Sequence, residues 1–305
     1  MKFADPKNDL AFKKIFGNEN HKNILISFLN SVLNFTDEKI IVDVELANPY
    51  QVPRIPELKE TILDIKATNK NNDTFIVEMQ RKNLGDFTKR SLYYTSKAYV
   101  SQLPKGHDYT LLKKVYFIGI LDFNIFDNDN YISRHLIINQ ETNTQDLKDF
   151  EFSFIELPKF NKTLEELNSI LDKWIFFIKN VSDLKIIPKQ YEKIQEFKEA
   201  FEIVTQTTWD EKELELYDYV GLKEFDEINA LRTAQRKAMK EGLEQGLEQG
   251  LEQGLEQGLE QGLEQGKKQE KLTIAKNLLD VLDNETISLK TDLSIKDIEK
   301  LRDNV

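Results

Sequence analysis

Two acidic residues lie among apolar ones in the stretch ILDIKATNKNNDTFIVEMQ, residues 62–80. Asp64 belongs to the first of two strand-like segments and Glu78 to the second, and the polar turn NKNND separates them. If this turn is centred on Asn71, strand alternation places Asp64 directly opposite Glu78 on one face of a hairpin. Opposed residues have Cβ atoms roughly 5 Å apart, so two like charges there destabilise the pair.

A divalent cation between the two carboxylates would reverse this repulsion. Hard cations such as Mg²⁺ prefer oxygen ligands and retain several waters. A retained water, made more acidic by the metal, is a suitable nucleophile for a phosphodiester. The same pattern also fits a hydrated face on which Lys66 neutralises both acids. Spacing alone leaves a metal site and a hydrated face as open alternatives.

The elements that must position the acids follow from hydrophobic periodicity. We predict, in chain order, a helix at 7–34, a strand at about 40–47, a proline-rich connection at 48–57, the hairpin at about 59–82, a helix at 86–103 and a buried strand at 115–123. Strand-like segments follow at 131–139 and 151–157, and helices at 163–180, 189–207, 209–219 and from 222 onward. This order predicts an α/β fold.

Composition excludes several classes of protein. The 305 residues include no cysteine, so disulfides and thiolate metal sites are absent. We find no signal peptide and no apolar run of about 18 residues, and we expect a soluble cytoplasmic protein without a membrane partner. The net charge is −11, but residues 1–125 hold 18 basic and 15 acidic side chains. The first part of the chain can therefore still present a basic surface, which permits a DNA partner but does not show one. With a DNA partner, we expect the protein to be associated with the nucleoid.

Several motifs together resemble a known family: NDLAFKKIFG, LDIKA, IVEMQ, the long stretch from RSLYYTSKAYV to VYFIGILDF, and a glycine-repeat tail that ends in SIKDIEKL. The chain resembles the recombination-promoting nuclease/putative transposase family of the PD-(D/E)XK nuclease superfamily. The resemblance implies a restriction-endonuclease-like core of helix, three-strand meander, helix and strand. We expect a nuclease domain at 1–160, a helical region at 161–221, a long helix at 222–282 and a helix-turn-helix-like segment at 283–305.

The resemblance also implies an activity: a DNA endonuclease that acts on double-stranded DNA with Mg²⁺ or another hard cation such as Mn²⁺ or Ca²⁺. Asp64 and Glu78 would be metal ligands, with the Met79 carbonyl as a third. Gln80 stands where the superfamily usually has lysine, and glutamine orients water only through hydrogen bonds. We therefore expect modest turnover. The alternative is a catalytically weak or inactive module that binds DNA or protein.

The first predicted helix carries three further candidates. Asp9 resembles the additional acid that such nucleases place beside the metal, although a negative charge is also favourable at a helix start. Lys13 and Lys14 follow one turn later, where they could approach a phosphate. Taken alone, the two lysines fit a solvated helix face better.

The helix after the hairpin carries a basic and aromatic stripe, because Arg90, Tyr93, Tyr94 and Lys97 are spaced at three, four and seven residues. Arginine and lysine bind phosphates without reading the sequence of DNA. We expect Arg90 and Lys97 to contact phosphate, and we expect Tyr94 to belong to the core.

Residues 242–266 are six copies of GLEQ and a closing glycine. A step of four residues advances the leucine row by about 40° per copy, which excludes a strict heptad coiled coil. The repeat could be a spacer, a self-association segment or a linker without specific contacts. We expect a homodimer, and Met239 suggests an internal start that yields a separate tail fragment able to bind the parent. In the last segment we predict Ser294 as a helix N-cap.

Overall fold

The computed structural model describes residues 1–51, 61–83 and 85–303, in two compact units, Met1–Ile228 and Asn229–Val305. The helices of the described residues are α1 Asp9–Phe16, α2 Lys22–Leu33, α3 Phe87–Ser101, α4 Ile170–Asn180, α5 Gln195–Val204, α6 Glu211–Leu278, α7 Asn284–Thr291 and α8 Ile295–Asp303. The strands are β1 Glu45–Leu46, β2 Tyr50–Gln51, β3 Thr61–Ile62, β4 Ile65–Thr68, β5 Thr74–Gln80, β6 Val115–Leu121, β7 Ile132–Leu136 and β8 Phe150–Glu156.

Six of these strands form one mixed sheet in the order β1-β4-β5-β6-β8-β7. Strands β5, β6 and β8 run parallel, and the other neighbours are antiparallel. The α/β class is confirmed: α1, α2, β1, β4, β5, α3 and β6 lie along the chain in this order, with β2 and β3 between β1 and β4. Strands β2 and β3 pair separately. Residues 52–60, which include most of the predicted proline-rich connection, lie outside the described residues.

The register of the hairpin is the predicted one. Ile65 pairs with Val77, as required when the turn is centred on Asn71. Asn69 organises the turn, because its side-chain oxygen accepts hydrogen bonds from the backbone N–H groups of Asn71, at 3.0 Å, and Asp73, at 2.9 Å. Polar turn residues with this bonding capacity compete well with continued strand. The sequence of the turn thus sets which residues face each other on β4 and β5.

The predicted helix at 7–34 is wrong as one element, because α1 ends at Phe16. A Cβ atom at Gly17 would lie 2.8 Å from the Lys13 carbonyl oxygen and 3.0 Å from Ile65 Cδ1. Glycine therefore permits a close approach between the end of α1 and β4. This contact seats α1, with Asp9 and Lys13, beside the hairpin.

Alternation along β5 divides its side chains between two apolar clusters. Phe75 and Val77 join a large cluster with α1, α2, α4 and α5, whereas Ile76 joins a smaller one beneath α3. Trp174 of α4 is fully buried in the large cluster, where its ring centroid lies 4.0 Å from that of Phe197. The core therefore continues across residue 160, where the sequence predicted a domain boundary.

The helix α6 is continuous from Glu211 to Leu278, so separate helices at 209–219 and from 222 are not observed. Gly221 lies within it, and a single interior glycine costs only about 1 kcal/mol relative to alanine. The long helix ends four residues before the predicted limit of 282. None of the helices in the described part of the chain is both long and apolar enough to cross a bilayer.

The second unit has its own small core at its C-terminal end. The buried members of this cluster are Ala275, Leu279, Ile287, Leu293 and Ile298. The backbone N–H of Asp297 donates to Ser294 Oγ at 3.2 Å, which confirms Ser294 as the N-cap of α8. Short helices of this kind are stable only when they bury an apolar face together.

Candidate functional site

The two hairpin acids converge, and each is held by the backbone of the opposite strand. Asp64 lies at a bend directly before β4. Its backbone N–H donates to Glu78 Oε1 at 3.1 Å, and the Met79 N–H donates to Asp64 Oδ2 at 2.7 Å. Glu78 is only 2 % exposed. The hairpin register thus brings two carboxyl groups into one buried place.

The electrostatics of this pair favour protonation when no further positive charge is present. The pKa of Asp64 is raised to about 6 in total. Burial is the largest cause and the charge of Asp9 adds to it, whereas the hydrogen bond from Met79 opposes the shift. Burial, followed by the charge of Asp64, raises the pKa of Glu78 well above its usual value. Two like charges removed from water are costly unless a cation compensates them.

Asp9 and Lys13 adjoin the pair at its α1 side. Lys13 Nζ lies 2.8 Å from Asp9 Oδ1 and 4.0 Å from Asp64 Oδ1. Burial acts to lower the pKa of Lys13, but the Asp9 hydrogen bond and the charges of Asp9, Asp64 and Glu78 outweigh it, and the net shift is upward. Lys13 therefore remains a cation beside the acids, mainly engaged with Asp9.

Lys66 does not neutralise the acids. Within the described contacts it forms no ion pair with either carboxylate, and burial alone lowers its pKa. A cleft of about 310 Å³ opens beside Asp64, with Lys13, Tyr50 and Lys66 in its lining. Solvent and small ligands can thus approach the acid pair from this side.

Two hydrogen bonds through Gln80 join Glu78 to helix α3. Gln80 Nε2 donates to Glu78 Oε2 at 3.2 Å, and Arg90 Nη2 donates to Gln80 Oε1 at 2.8 Å. The Arg90 guanidinium lies 5.1 Å from the centre of the Phe87 ring. The predicted stripe on α3 therefore places Arg90 next to Gln80, which in turn contacts the acid pair.

Tyr94, one turn after Arg90, packs half-buried against the core as expected, and it also lies within electrostatic range of the acids. Burial raises the pKa of its phenol, and the charges of Glu78 and Asp64 raise it further. Its ring packs against the cluster beneath α3. The spacing of four residues from Arg90 is the sequence signal that could have shown this placement.

Gly119 allows α3 to come this close. It pairs with Glu78 in the β5–β6 ladder. A Cβ atom there would lie 3.1 Å from Phe87 Cε1 and 3.1 Å from Phe154 Cδ1. The absence of a side chain lets Phe87, at the start of α3, pack onto the sheet.

Two predicted phosphate-binding residues do not contact the acid pair. Lys14 forms an ion pair with Glu213 and lies 4.9 Å from the centre of the Trp209 ring. Lys97 lies 6.0 Å from the centre of the Tyr93 ring, about two turns beyond Arg90. The structure thus brings Asp64, Glu78, Gln80 and Arg90 together, with Asp9 and Lys13 adjoining.

The residues present fit a hard cation whose ligands come only partly from the protein. The oxygens of Asp64 and Glu78 are ligands that Mg²⁺ accepts, with water or phosphate oxygens in the remaining positions. Across residues 1–51, 61–83 and 85–303, no group of three or more acidic or histidine side chains is arranged to hold a metal ion. A bound cation would therefore depend on two carboxylates.

The sheet and the buried acid pair on its central hairpin define a nuclease-like α/β protein. The model of the family described as PD-(D/E)XK nuclease family transposase matches residues 6–234, and the chain belongs to this family. The match includes α1, the hairpin, α3 and the start of α6. Comparison with curated proteins and with solved structures gave no match.

Proposed function

We propose that this protein is a metal-dependent endonuclease that hydrolyses phosphodiester bonds of double-stranded DNA. The observation that carries the proposal is the convergence of Asp64 and Glu78 in a buried place, where burial raises both pKa values and the charge of Asp64 adds to the rise at Glu78. Within the described contacts the pair has one ion-pair partner, Lys13, which lies 4.0 Å from Asp64 and is mainly engaged with Asp9. Two clustered carboxyls with so little compensation are matched to a divalent cation. Membership of the nuclease family supports the same activity.

In the proposed reaction, individual residues of the chain have separate roles. Asp64 and Glu78, with the Met79 carbonyl, would hold Mg²⁺ or a similar cation, which when bound supplies an acidified water and stabilises negative charge on the phosphate. Lys13, which stays charged, is placed to attract the phosphate backbone. Gln80 holds Glu78 through its amide nitrogen. Both carboxyls must lose their protons to bind a cation, so activity should increase as the pH rises through about 6 and above.

The test is the nicking of supercoiled plasmid by the full-length chain in Mg²⁺, Mn²⁺ or EDTA. We expect Asp64→Ala and Glu78→Gln to lower the rate about 100-fold or more, because each removes a ligand. Glu45→Gln is the matched control, since Glu45 is exposed on the edge strand β1 and should cut like the wild type. Equal nicking by all four proteins, or nicking that survives EDTA, would refute the proposal.

A second candidate function is a regulatory module that binds DNA or protein without efficient catalysis. One observation favours it: the described residues supply only a two-acid metal site, and Gln80 replaces the usual lysine. This candidate predicts DNA binding that survives Glu78→Gln together with no cleavage by the wild type in any cation.

The biological setting that we propose follows from the family: recombination, maintenance of mobile elements or defence against phage, on DNA in the cytoplasm. A homodimer would present two sites to the two strands of a duplex. Sedimentation of the full chain with and without DNA tests this assembly, and a monomer under both conditions would contradict it.

A further inference from the structure

The Gln80 amide lies between an anion and a cation, which fixes its orientation. Its Nε2 donates to the Glu78 carboxylate at 3.2 Å, and its Oε1 accepts from Arg90 at 2.8 Å. A flipped amide would set Oε1 against the carboxylate and Nε2 against the guanidinium. The contact with the guanidinium would then be repulsive, because a guanidinium only donates, and so would the contact with Glu78 whenever its carboxyl is ionised. Arg90 therefore determines which end of Gln80 reaches Glu78.

The environment of Arg90 is not explained by folding stability. Its Nε is buried and has no hydrogen-bond partner. A buried donor left unsatisfied costs about 1–3 kcal/mol. Within the described contacts Arg90 forms no ion pair, and its charge is close enough to Glu78 to oppose the rise in the pKa of that carboxyl. An arginine that stays charged at every relevant pH is thus kept beside the acid pair at a cost to stability.

We propose that Arg90 is a positioning residue of the acid pair: it fixes the Gln80 amide so that Nε2 donates to Glu78 Oε2, and it places a permanent positive charge behind this carboxylate. Gln80 then holds Glu78 in a fixed position. The arrangement gives the site the positive charge that Gln80 itself lacks. Its consequence for cleavage rests on the proposed function, whereas the orientation of the amide does not.

The amide orientation can be measured without any reaction. In ¹⁵N-labelled full-length protein without metal, the Gln80 side-chain NH₂ signals are assigned by their loss in Gln80→Leu. We expect signals shifted from the solvent-exposed range in the wild type, and a return to that range in Arg90→Gln. Lys89→Gln is the matched control: Lys89 is adjacent on α3, its side chain is 78 % exposed, and it forms an ion pair with Asp86 at 3.1 Å. Unchanged Gln80 signals in Arg90→Gln would overturn the proposal.

Kinetics separate positioning from binding of the DNA backbone. Arg90→Gln should lower kcat about 30-fold or more while KM for DNA changes about threefold or less, because the ligand Glu78 is displaced but the DNA surface is retained. Lys89→Gln should change neither constant by more than about twofold. Arg90→Lys, which keeps the charge and one donor, should lie between them, and it guards against a misfolded Arg90→Gln.

A rescue variant completes the test. Introducing Gln80→Lys into Arg90→Gln places a cation directly beside Glu78, and we expect it to recover about tenfold in kcat. An Arg90→Gln protein that changes only KM, with kcat intact, would show Arg90 to be a DNA contact and would overturn the positioning role. If the wild type does not cut DNA, the proposed function fails, and the Gln80 signals alone decide the role of Arg90.

Discussion

The acid hairpin and the GLEQ repeat are both recognisable as short sequence patterns, but their conformations have different physical causes. In the hairpin, the oxygens of Asp64 and Glu78 are bonded to specific backbone and side-chain donors. In the repeat, the six leucines are 54–74 % exposed, and a Cβ atom on any of its seven glycines would meet nothing within 4 Å. The hairpin therefore depends on individual residues, whereas the repeat depends on helical periodicity alone.

Asp64→Asn should give the largest change in stability, and in the stabilising direction. Folding raises the pKa of Asp64 from 3.8 to about 6, so the folded state binds the proton more tightly than the unfolded chain. The wild type therefore loses stability as the pH rises between these values and does not recover it above them. At pH 8 the neutral variant should gain on the order of 2–3 kcal/mol in the free energy of unfolding, measured by urea unfolding.

Asp64→Asn also tests the proposal that Asp64 binds a metal ion. Mg²⁺ should raise the melting temperature of the wild type by mass action and leave that of Asp64→Asn unchanged. Glu45→Gln, an exposed acid on β1, should behave like the wild type in both measurements. If Asp64→Asn is no more stable than the wild type at pH 8, the buried pair carries no electrostatic cost.

Gly119→Ala should destabilise the first unit by about 1–2 kcal/mol, because the new Cβ must displace Phe87 and Phe154, each 3.1 Å away. Movement of Phe87 would also shift α3 and reduce cleavage. Chemical unfolding and plasmid nicking measure the two effects. Ser153→Ala is the control in the same sheet, since its buried Oγ has no partner and its removal should not destabilise. A fully stable, active Gly119→Ala would contradict the role of this glycine.

Gly250→Ala tests the GLEQ repeat, the second region of the comparison. With open space around its Cβ position, alanine should stabilise the helix locally by about 1 kcal/mol through backbone propensity. Slower amide hydrogen exchange in the repeat would show this gain, and plasmid nicking should stay at the wild-type rate. Faster exchange in the variant would show that the glycine is needed for a close contact.

Leu251→Ala should have the smallest effect, within about 0.5 kcal/mol, because the side chain is 67 % exposed. Thermal unfolding and sedimentation measure it. A large loss of stability, or a change in the state of assembly, would show that the leucine row packs against another chain and that the repeat is a self-association segment.

The same contrast explains what could be predicted from the sequence. Alternation and a polar turn are local signals, so the register of β4 and β5 about Asn71 and the opposition of Asp64 to Glu78 were readable. The end of α1 was missed although Gly17, its C-cap, is a local signal, whereas the approach of Ile65 to Gly17, 48 residues earlier in the chain, could not be read. Contacts over such separations leave no periodic trace.

The surroundings of the acids were the least predictable part of the site. Periodicity gave the stripe on α3, and with it the shared side of Arg90 and Tyr94, but it could not tell that Arg90 would meet Gln80. Likewise, the joining of α4 to the first core rests on aromatic packing around Trp174. Such contacts are decided by side-chain shape in three dimensions, which a pattern of apolar positions does not record.

The reciprocal hydrogen bonds across the hairpin have one further consequence. Since Asp64 is held by an amide of β5 and Glu78 by the amide of Asp64, separation of the two strands would release both carboxylates at once. A newly made or damaged chain whose hairpin is still open would carry neither ligand in place. Under the proposed function, only molecules with a closed hairpin would cut DNA, so the order of folding would set when cleavage can begin.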